Sequence, residues 1–177
     1  MFEIVRSDIA RGNRGLFDPA VWPVIIFRYG TWIKDYVKFK PLYVLLICSY
    51  YIIRAPIEFL TGVQIGFGAR IGPGFRVHHY GCVIIAHKSV IGKNFTINQC
   101  TMIGAAGPKD GWSYPTIGDN VWVAPGAKVL GGIIVGNNVV IGTNAVVVRN
   151  VPSNVIVGGI PAKILHEGTE AWFEDSN

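Results

Sequence analysis

Aliphatic residues recur at every sixth position through the C-terminal two thirds of the chain. A second small or apolar residue often lies two positions before each of them, and Gly often follows directly. In an extended chain, residues two positions apart point to the same side, and Gly suits a position where the chain turns and a Cβ would be unfavourable. The aliphatic residues in phase form three series: Ile65, Ile71 and Val77; Ile85, Ile91, Ile97 and Ile103; and Ile117, Val123, Val129, Val135, Ile141 and Val147.

This period predicts a mainly β fold, a parallel β-helix. Three extended segments of six residues make a triangular coil of about 18 residues, and stacked coils pair their backbones in parallel. The alternative is a β-sandwich with regular turns. It is disfavoured because sandwich strands recur every 8–12 residues rather than every six.

Two breaks in the phase mark candidate functional segments. Val77 and Ile85 are eight residues apart, so two extra residues bulge out around 78–81. Ile103 and Ile117 are 14 residues apart, so a longer loop, 105–114, leaves the β-helix. Loops that project from a rigid scaffold often carry chemistry.

The composition changes near Thr61-Gly62, from aromatic residues and helix formers to short β-branched runs. We therefore expect an N-terminal helical segment (1–61), a β-helix domain (62–165) and a C-terminal tail (166–177). Asp18-Pro19 resembles an N-cap with Pro at the first helical position, followed by a helix over 20–38. A second helix is predicted over 41–60, bent or divided at Pro56. These helices either pack on the β-helix or on each other in an oligomer, or an apolar face with Lys34, Lys38, Lys40 and Arg54 contacts a membrane surface.

Composition narrows the class of protein. The chain has 177 residues, 50% hydrophobic and 15% charged, which indicates one folded domain with a sizeable core. The net charge of +5 suits nucleic acid, a membrane surface or a phosphorylated small molecule equally. Cys48, Cys82 and Cys100 lack CxxC spacing and are interpreted as reduced core thiols of a cytoplasmic protein. We find no secretory signal, and the most apolar run, 41–53, is shorter than the about 20 residues of a bilayer span.

Few side chains are candidates for catalysis. His166 falls in the predicted tail and His87 at a corner, where both are expected to be solvated. His78 and His79 lie in the bulge at 78–81 and are the preferred catalytic pair. A zinc site would draw on His78, His79 and Cys82, but no second pair with ligand spacing follows, so no metal is expected.

Several motifs resemble the serine acetyltransferase branch of the hexapeptide-repeat acyltransferases and its polysaccharide O-acetyltransferase relatives. Near the N-terminus these are Ser7-Asp8-Ile9 and Asp18-Pro19-Ala20. The entry into the repeat, 59–63, and the first coil, 69–72, are also similar. His79 with Gly81 resembles the D-H-x-x-G loop of that branch, and 158–163 resembles its closing G-x-P-A-[KR] turn.

The resemblance implies a left-handed parallel β-helix of hexapeptide repeats with an N-terminal α-helical segment. It also implies acetyl-CoA as co-substrate, a homotrimer with its sites between neighbouring copies, and no nucleic acid partner. His79 would be the general base on the acceptor hydroxyl. By position, the residues that would bind acetyl-CoA are Gly104, Ala105, Ala124, Gly142, Thr143 and Lys163.

Some residues of this chain differ from those of the serine acetyltransferase branch at positions that would bind the acceptor of the acetyl group. His78 and Gln64 stand where that branch has acidic residues, and Ser113-Tyr114 where it has an Arg-His pair that holds a carboxylate. Without that Arg a free carboxylate loses a bidentate partner. The aromatic residues Tyr80, Tyr114 and Trp112 suit a sugar ring instead.

Three hypotheses follow. The first is an acetyl-CoA-dependent O-acetyltransferase acting on a saccharide of an exopolysaccharide, capsule or lipopolysaccharide pathway, cytoplasmic or peripheral to the inner face of the membrane. The second is a serine O-acetyltransferase whose carboxylate clamp has moved to Arg70 or Arg76, with Asp18 holding the amino group. The third is a non-catalytic β-helix scaffold, which an intact His79 loop disfavours.

Overall fold

The computed structural model describes residues 2–12, 15–107, 111–169 and 172. Its N-terminal part is helical: α1 (Phe2–Ala10), a 3-10 turn (Gly15–Phe17), α2 (Val21–Tyr36) and α3 (Lys40–Thr61). Gly62 ends α3 in the left-handed conformation, with φ 64°, and β1 begins at the next residue.

The remainder is a parallel β-helix with three flat faces. Face 1 contains β1 (Val63–Ile65), β4 (Val83–Ile85), β7 (Met102–Gly104), β10 (Lys128–Leu130) and β13 (Val146–Val147). Face 2 contains β2 (Arg70–Ile71), β5 (Val90–Ile91), β8 (Thr116–Ile117) and β11 (Ile134–Val135). Face 3 contains β3 (Arg76–Val77), β6 (Thr96–Ile97), β9 (Trp122–Val123), β12 (Val140–Ile141) and β14 (Val155–Gly158), with β15 (Lys163–Glu167) added antiparallel.

The register between coils follows the sequence period. Ile84 pairs with Met102, eighteen residues later, as a coil of three six-residue segments requires. Val63 pairs with Val83, twenty residues later, because the bulge lies between them. Val90 pairs with Thr116 across the longer loop, of which 108–110 lie outside the described residues. The predicted parallel β-helix is confirmed.

The core is the set of residues predicted from the period. All thirteen aliphatic residues of the three series are buried, and Phe75 stacks on Phe95 among them with ring centroids 5.9 Å apart. The small residues two positions earlier, such as Ser89 and Ala127, are buried as well. Each coil therefore contributes three pairs of inward side chains to one continuous core.

Glycines line the corner between faces 2 and 3 because successive coils approach closely there. Gly72, Gly92, Gly118 and Gly136 stack along this corner. A Cβ on Gly118 would lie 2.9 Å from the carbonyl carbon and oxygen of Gly136, and one on Gly92 would lie 2.7 Å from those of Gly118. None of the four has a positive φ, so the requirement for Gly is close contact between coils rather than an unusual backbone angle.

Asparagines make the turns beside that glycine stack. Asn94, Asn120, Asn138 and Asn154 all have positive φ, between 53° and 62°. The side-chain amide of each donates to the side-chain oxygen of the next, at 2.8–3.0 Å. Asn is one of the few residues that tolerate this conformation. The ladder of amides thereby couples four successive coils.

A buried ion pair attaches the helices to the first coil. The Arg28 guanidinium on α2 donates to Asp8 on α1 at 2.7 Å, and also to the carbonyl oxygens of Ile71 and Gly72 at 2.6 Å. The other Asp8 oxygen accepts the backbone N–H of Phe75 at 2.8 Å. The two helices therefore cover the open end of the β-helix.

Several expectations about the chain ends and the cysteines were wrong. Helix α2 begins at Val21 rather than at Pro19. Asp18 accepts the backbone N–H of Ala20 at 3.0 Å in the preceding turn. The residue assigned to the tail, His166, belongs to β15. All three cysteines are unpaired, as expected, but they are exposed rather than in the core: Cys48, Cys82 and Cys100.

We predict that Gly118→Ala lowers the free energy of unfolding by about 2 kcal/mol or more, because the added methyl group must push two coils apart. Equilibrium denaturation in urea measures this change. Thr116→Ala, two residues earlier on β8, is the control, since its side chain is exposed, and it should change stability by less than about 0.5 kcal/mol. Equal effects from both substitutions would contradict the close-contact explanation.

Candidate active site

The two adjacent histidines lie at the corner between faces 3 and 1, which we call the histidine corner. His78 follows β3 directly, and its backbone N–H still donates to the carbonyl of Ile97 at 2.9 Å, so this residue remains within the ladder. The chain then bulges outward until Cys82, where φ is 54°. His79 and Tyr80 are exposed on this bulge, whereas His78 is half-buried.

His78 is held between two rings. Its ring centroid lies 4.4 Å from that of His79, edge to face at 84°, and 5.4 Å from that of Trp122. Its Nδ1 atom is buried and has no hydrogen-bond partner among the described residues. This packing fixes the His78 ring behind the exposed His79 ring and limits the orientations available to His79.

Burial and the charges at the histidine corner disfavour the protonated form of His78. Burial lowers the pKa of His78, the nearby positive charges of Arg76 and His79 lower it further, and Asp18 partly opposes them. Burial also lowers the pKa of Arg76, which the same Asp18 carboxylate opposes. Asp18, Arg76 and His78 therefore form one electrostatic group. The relatives named in the resemblance have an acidic residue at the position of His78. In this chain an imidazole ring occupies that position, near the Asp18 carboxylate and the Arg76 guanidinium.

The expected acetyl-CoA residues divide between two corners. Ala124 and Gly142 continue the histidine corner along successive coils, since Ala124 N–H donates to Ile141 and Gly142 N–H donates to Val157. Thr143 is exposed beside them, and Lys163 is exposed at the start of β15. Gly104 and Ala105 lie instead at the corner between faces 1 and 2, which we call the loop corner because loop 105–114 leaves from it.

Tyr114 also belongs to the loop corner. Its ring packs edge to face on His87 with centroids 5.1 Å apart, and Lys88 Nζ lies 5.6 Å from the same ring. His87, expected to be solvated, is exposed and has Tyr114 as its neighbour. Tyr114 and His79 are thus on different corners of one chain, and a single β-helix does not bring them together.

Ser113 closes the base of the loop. Its hydroxyl donates to the carbonyl of Ala106 at 3.1 Å and accepts the backbone N–H of Gly132 at 2.9 Å. Its main chain pairs with Ala106 in an isolated bridge. A short hydroxyl side chain thus fastens the loop to the next coil at the position where the resemblance has Arg. The neighbouring Trp112 is 69% exposed on the same loop.

Gln64 and Trp122 differ from what the sequence suggested. Gln64 is exposed in the middle of β1, and in the described part of the chain it makes no hydrogen bond to either histidine. Trp122, on β9, was missed by the sequence analysis although its ring contacts His78. Trp172 extends this surface, with its centroid 6.1 Å from that of Trp122. The available signal was the register, because Arg76, Thr96 and Trp122 occupy one outward column of face 3.

The residues described in 2–12, 15–107, 111–169 and 172 contain no group of three His, Cys, Asp or Glu side chains that could hold a metal ion. The histidine corner itself brings two imidazole rings close to the charges of a carboxylate and a guanidinium and to an aromatic surface.

Comparison with known proteins agrees with the hexapeptide repeat. Residues 114–149 match the family model described as bacterial transferase hexapeptide (six repeats). The serine acetyltransferase of Staphylococcus aureus (strain Mu50 / ATCC 700699) is 45% identical over 110 residues, which are 62% of this chain and 52% of that protein. The chain thus spans about half the length of the curated relatives it matches.

Solved structures show the same architecture over most of the chain. The serine acetyltransferase of Vibrio cholerae has a TM-score of 0.79 at 26% identity, covering 94% of this chain and 66% of that one. The Brucella abortus serine acetyltransferase in complex with coenzyme A has a TM-score of 0.80 at 24% identity, covering 94% and 68%. The expected resemblance to hexapeptide-repeat acyltransferases, and to serine acetyltransferases among them, is confirmed.

We predict that His78 titrates below the ordinary His pKa of about 6.5, because burial and the positive charge of Arg76 disfavour its protonated form. The unfolded chain then binds a proton at His78 at higher pH than the folded protein does. The contribution of His78 to the free energy of unfolding is therefore full above pH 6.5 and is lost as the pH falls through the pKa of the folded state. An NMR titration of the four histidines measures the shift, and denaturation at several pH values measures the loss. In His78→Asn this part of the pH dependence should be absent. A His78 pKa above 6.5 would contradict the prediction.

Proposed function

We propose that this chain is an acetyl-CoA-dependent O-acetyltransferase in which His79 is the general base. The observation that carries the proposal is the exposed His79 ring, held by His78 at the same corner as Ala124 and Gly142. The likeness to serine acetyltransferases, including one solved in complex with coenzyme A, supports acetyl-CoA as co-substrate. We also propose a cytoplasmic location, which the three unpaired cysteines support.

In the proposed reaction His79 first accepts a proton and later returns it. His79 accepts the proton of the acceptor hydroxyl while that oxygen bonds to the thioester carbonyl carbon. When the tetrahedral intermediate collapses, the C–S bond breaks and the imidazolium returns its proton to the departing thiolate. His78 does not compete for this proton because its pKa is lowered, so the neutral ring positions His79 without taking its role.

We further propose that the active assembly is a homotrimer. The support is the division of the expected site residues between two corners: His79, Ala124 and Gly142 on one, and Gly104 and Tyr114 on the other. A ring of three prisms would set the histidine corner of one copy against the loop corner of its neighbour. Each copy would then supply half of two sites.

L-serine is the first candidate acceptor. The relatives reported above are all serine acetyltransferases, so the comparisons favour serine over the saccharide expected from the sequence. Arg76 and Asp18 also suit this acceptor, since both charges act on His78. A guanidinium could bind the carboxylate of serine and a carboxylate its ammonium group. Of the two clamps considered in the sequence, Arg70 lies on face 2, away from the histidine corner.

A saccharide is the second candidate, and a specific observation favours it. The rings of Trp122 and Trp172 extend outward from His78, and Tyr80 is 47% exposed on the bulge. Aromatic faces of this size suit the apolar face of a sugar ring. The loop offers no Arg for a carboxylate, because Ser113 occupies that position and is bound within the loop.

The acceptor is identified by coenzyme A release with L-serine and with a panel of sugars. We expect L-serine to be turned over with kcat/KM of about 10⁴ M⁻¹s⁻¹ or more, within the usual range for enzymes. Arg76→Gln should then raise the KM for serine about tenfold or more, whereas the matched control Arg70→Gln should not. If sugars are used instead and Trp122→Leu raises their KM, the serine assignment is wrong and the second candidate holds. No release with any acceptor would favour the scaffold hypothesis.

We predict that His79→Ala lowers kcat by about 10²–10⁴-fold, the usual contribution of general base catalysis. The affinity for coenzyme A should change little, because the ring acts on the acceptor hydroxyl. Steady-state kinetics and isothermal titration calorimetry measure the two quantities. His166→Ala is the matched control, since that ring is exposed on β15. A His79→Ala protein with the kcat of the unmodified protein would contradict the proposed general-base mechanism.

The same variant tests the trimer. Two inactive variants, His79→Ala and a loop-corner variant such as Tyr114→Ala, should regain part of the activity when refolded together, because some interfaces then contain both intact halves. Light scattering gives the mass of the assembly. An active monomer would contradict shared sites.

A further inference from the structure

Beyond its first residue, Lys40, the exposed side of α3 carries apolar residues and no charge. Between Pro41 and Leu60, every residue that is exposed is uncharged. Large side chains dominate this surface, with Ile52 73%, Leu60 76% and Phe59 89% exposed. Leu42, Val44 and Leu45 continue it toward the start of the helix. We call this surface the outer face of α3.

The polar residues of α3 lie on the opposite, protected side. Arg54 and Glu58 form an ion pair at 2.5 Å, and Arg54 also donates to the hydroxyl of Tyr50 at 2.9 Å. Tyr50 is buried against Gly30 of α2, where a Cβ would lie 2.5 Å from the nearest ring carbon. Ser49 is bonded to Tyr29 of α2 at 2.9 Å.

This arrangement is the reverse of that of a surface helix in water. Such a helix buries its apolar stripe and exposes its charges, whereas α3 pairs its charges against the protein and exposes its apolar side chains. Apolar surfaces of this extent mark contact sites rather than solvated surface. The outer face of α3 is therefore built for an apolar environment.

The dimensions of α3 match the thickness of a bilayer, but its packing indicates that it lies along the surface. The helix has 22 residues, and its most apolar 18-residue window has a mean hydropathy of 1.5 and is 11% buried; it is the one helix of the described residues with the length and composition of a span. At 1.5 Å per residue it measures about 33 Å. However, its other side packs on α2, and α2 carries the buried Arg28–Asp8 pair at the end of the β-helix. Only one side is available to lipid.

Positive charge next to the outer face selects the kind of membrane. Lys34, Lys38 and Lys40 are all exposed around the connection between α2 and α3, against one exposed carboxylate, Asp35. The aromatic residues Tyr36 and Phe39, 70% and 68% exposed, lie among these lysines. Lysines and aromatic residues beside an apolar face are typical of helices that lie in the headgroup region of anionic membranes.

We propose that the outer face of α3 binds the surface of an anionic lipid bilayer, with the lysines of the α2–α3 connection at the headgroups. The proposal does not depend on the acetyltransferase activity, because it rests on residues remote in sequence from His79. A lipid surface accounts both for the apolar face and for the adjacent positive charge, whereas a second copy of α3 accounts only for the apolar face.

Flotation of the full chain with lipid vesicles tests this. The protein should float with vesicles of phosphatidylcholine mixed with phosphatidylglycerol, less with pure phosphatidylcholine, and less again at high salt. The double variant Ile52→Gln/Phe59→Gln should weaken binding about tenfold or more. Replacing Lys34, Lys38 and Lys40 by Gln should remove the preference for anionic vesicles. Ile134→Gln is the control, because Ile134 is 59% exposed on β11, in the β-helix.

Cys48 gives a second measurement, since it lies exposed on α3. With Cys82 and Cys100 replaced by Ser, an environment-sensitive fluorophore on Cys48 should shift its emission to the blue when anionic vesicles are added. Vesicle binding that survives Ile52→Gln/Phe59→Gln would overturn the proposal. So would absence of binding together with self-association that this variant abolishes, because the outer face would then be an interface between copies.

Discussion

The rest of the structure depends on the buried ion pair between Arg28 and Asp8. A parallel β-helix has an open first coil whose backbone groups lack the partners that every later coil finds in its neighbour. Arg28 satisfies the carbonyl oxygens of Ile71 and Gly72, and Asp8 accepts the N–H of Phe75. Two charges that would be costly to bury singly become acceptable because they satisfy each other and the open coil. The same ion pair therefore satisfies the backbone of the first coil and attaches α1 and α2 to it.

That attachment also determines what surrounds the histidines. Asp18 lies in the turn just before α2, and the position of α2 on the first coil brings its carboxylate close enough to act on Arg76 and His78. The charged groups at the histidine corner therefore come from both parts of the chain, a turn before a helix and a strand of the first coil. The helices also leave α3 with one side against α2 and the other side outward. The candidate site and the apolar surface are two results of the same docking.

The sequence predicted the β-helix almost completely because a six-residue period leaves few alternatives. Each inward residue, from Ile65 to Val147, packs against the residues at the equivalent positions of the neighbouring coils. The six-residue pattern in the sequence therefore also predicts which residues contact each other in the core. The site was predicted less completely, since its contacts join coils far apart in sequence: Trp122 reaches His78, and Tyr114 lies at another corner than His79. The thiols were misjudged because Cys82 and Cys100 lie at turns with positive φ, which the period does not reveal. The sequence also did not predict which side of α3 packs on α2. Hydropathy alone does not give that side, because the apolar residues of α3 are exposed.

The amide ladder of Asn94, Asn120, Asn138 and Asn154 has a consequence for how such a chain can change over time. The ladder keeps successive coils in one register, and alternate residues of a strand point to opposite sides, so a residue inserted within a strand would turn the later inward side chains of that strand outward. A residue inserted at a corner disturbs none of them. The bulge at 78–81 and the loop at 105–114 are insertions of this tolerated kind, and both bear side chains of the candidate site. Corners can therefore be lengthened or shortened, and their side chains varied, while the prism that supports them is inherited unaltered.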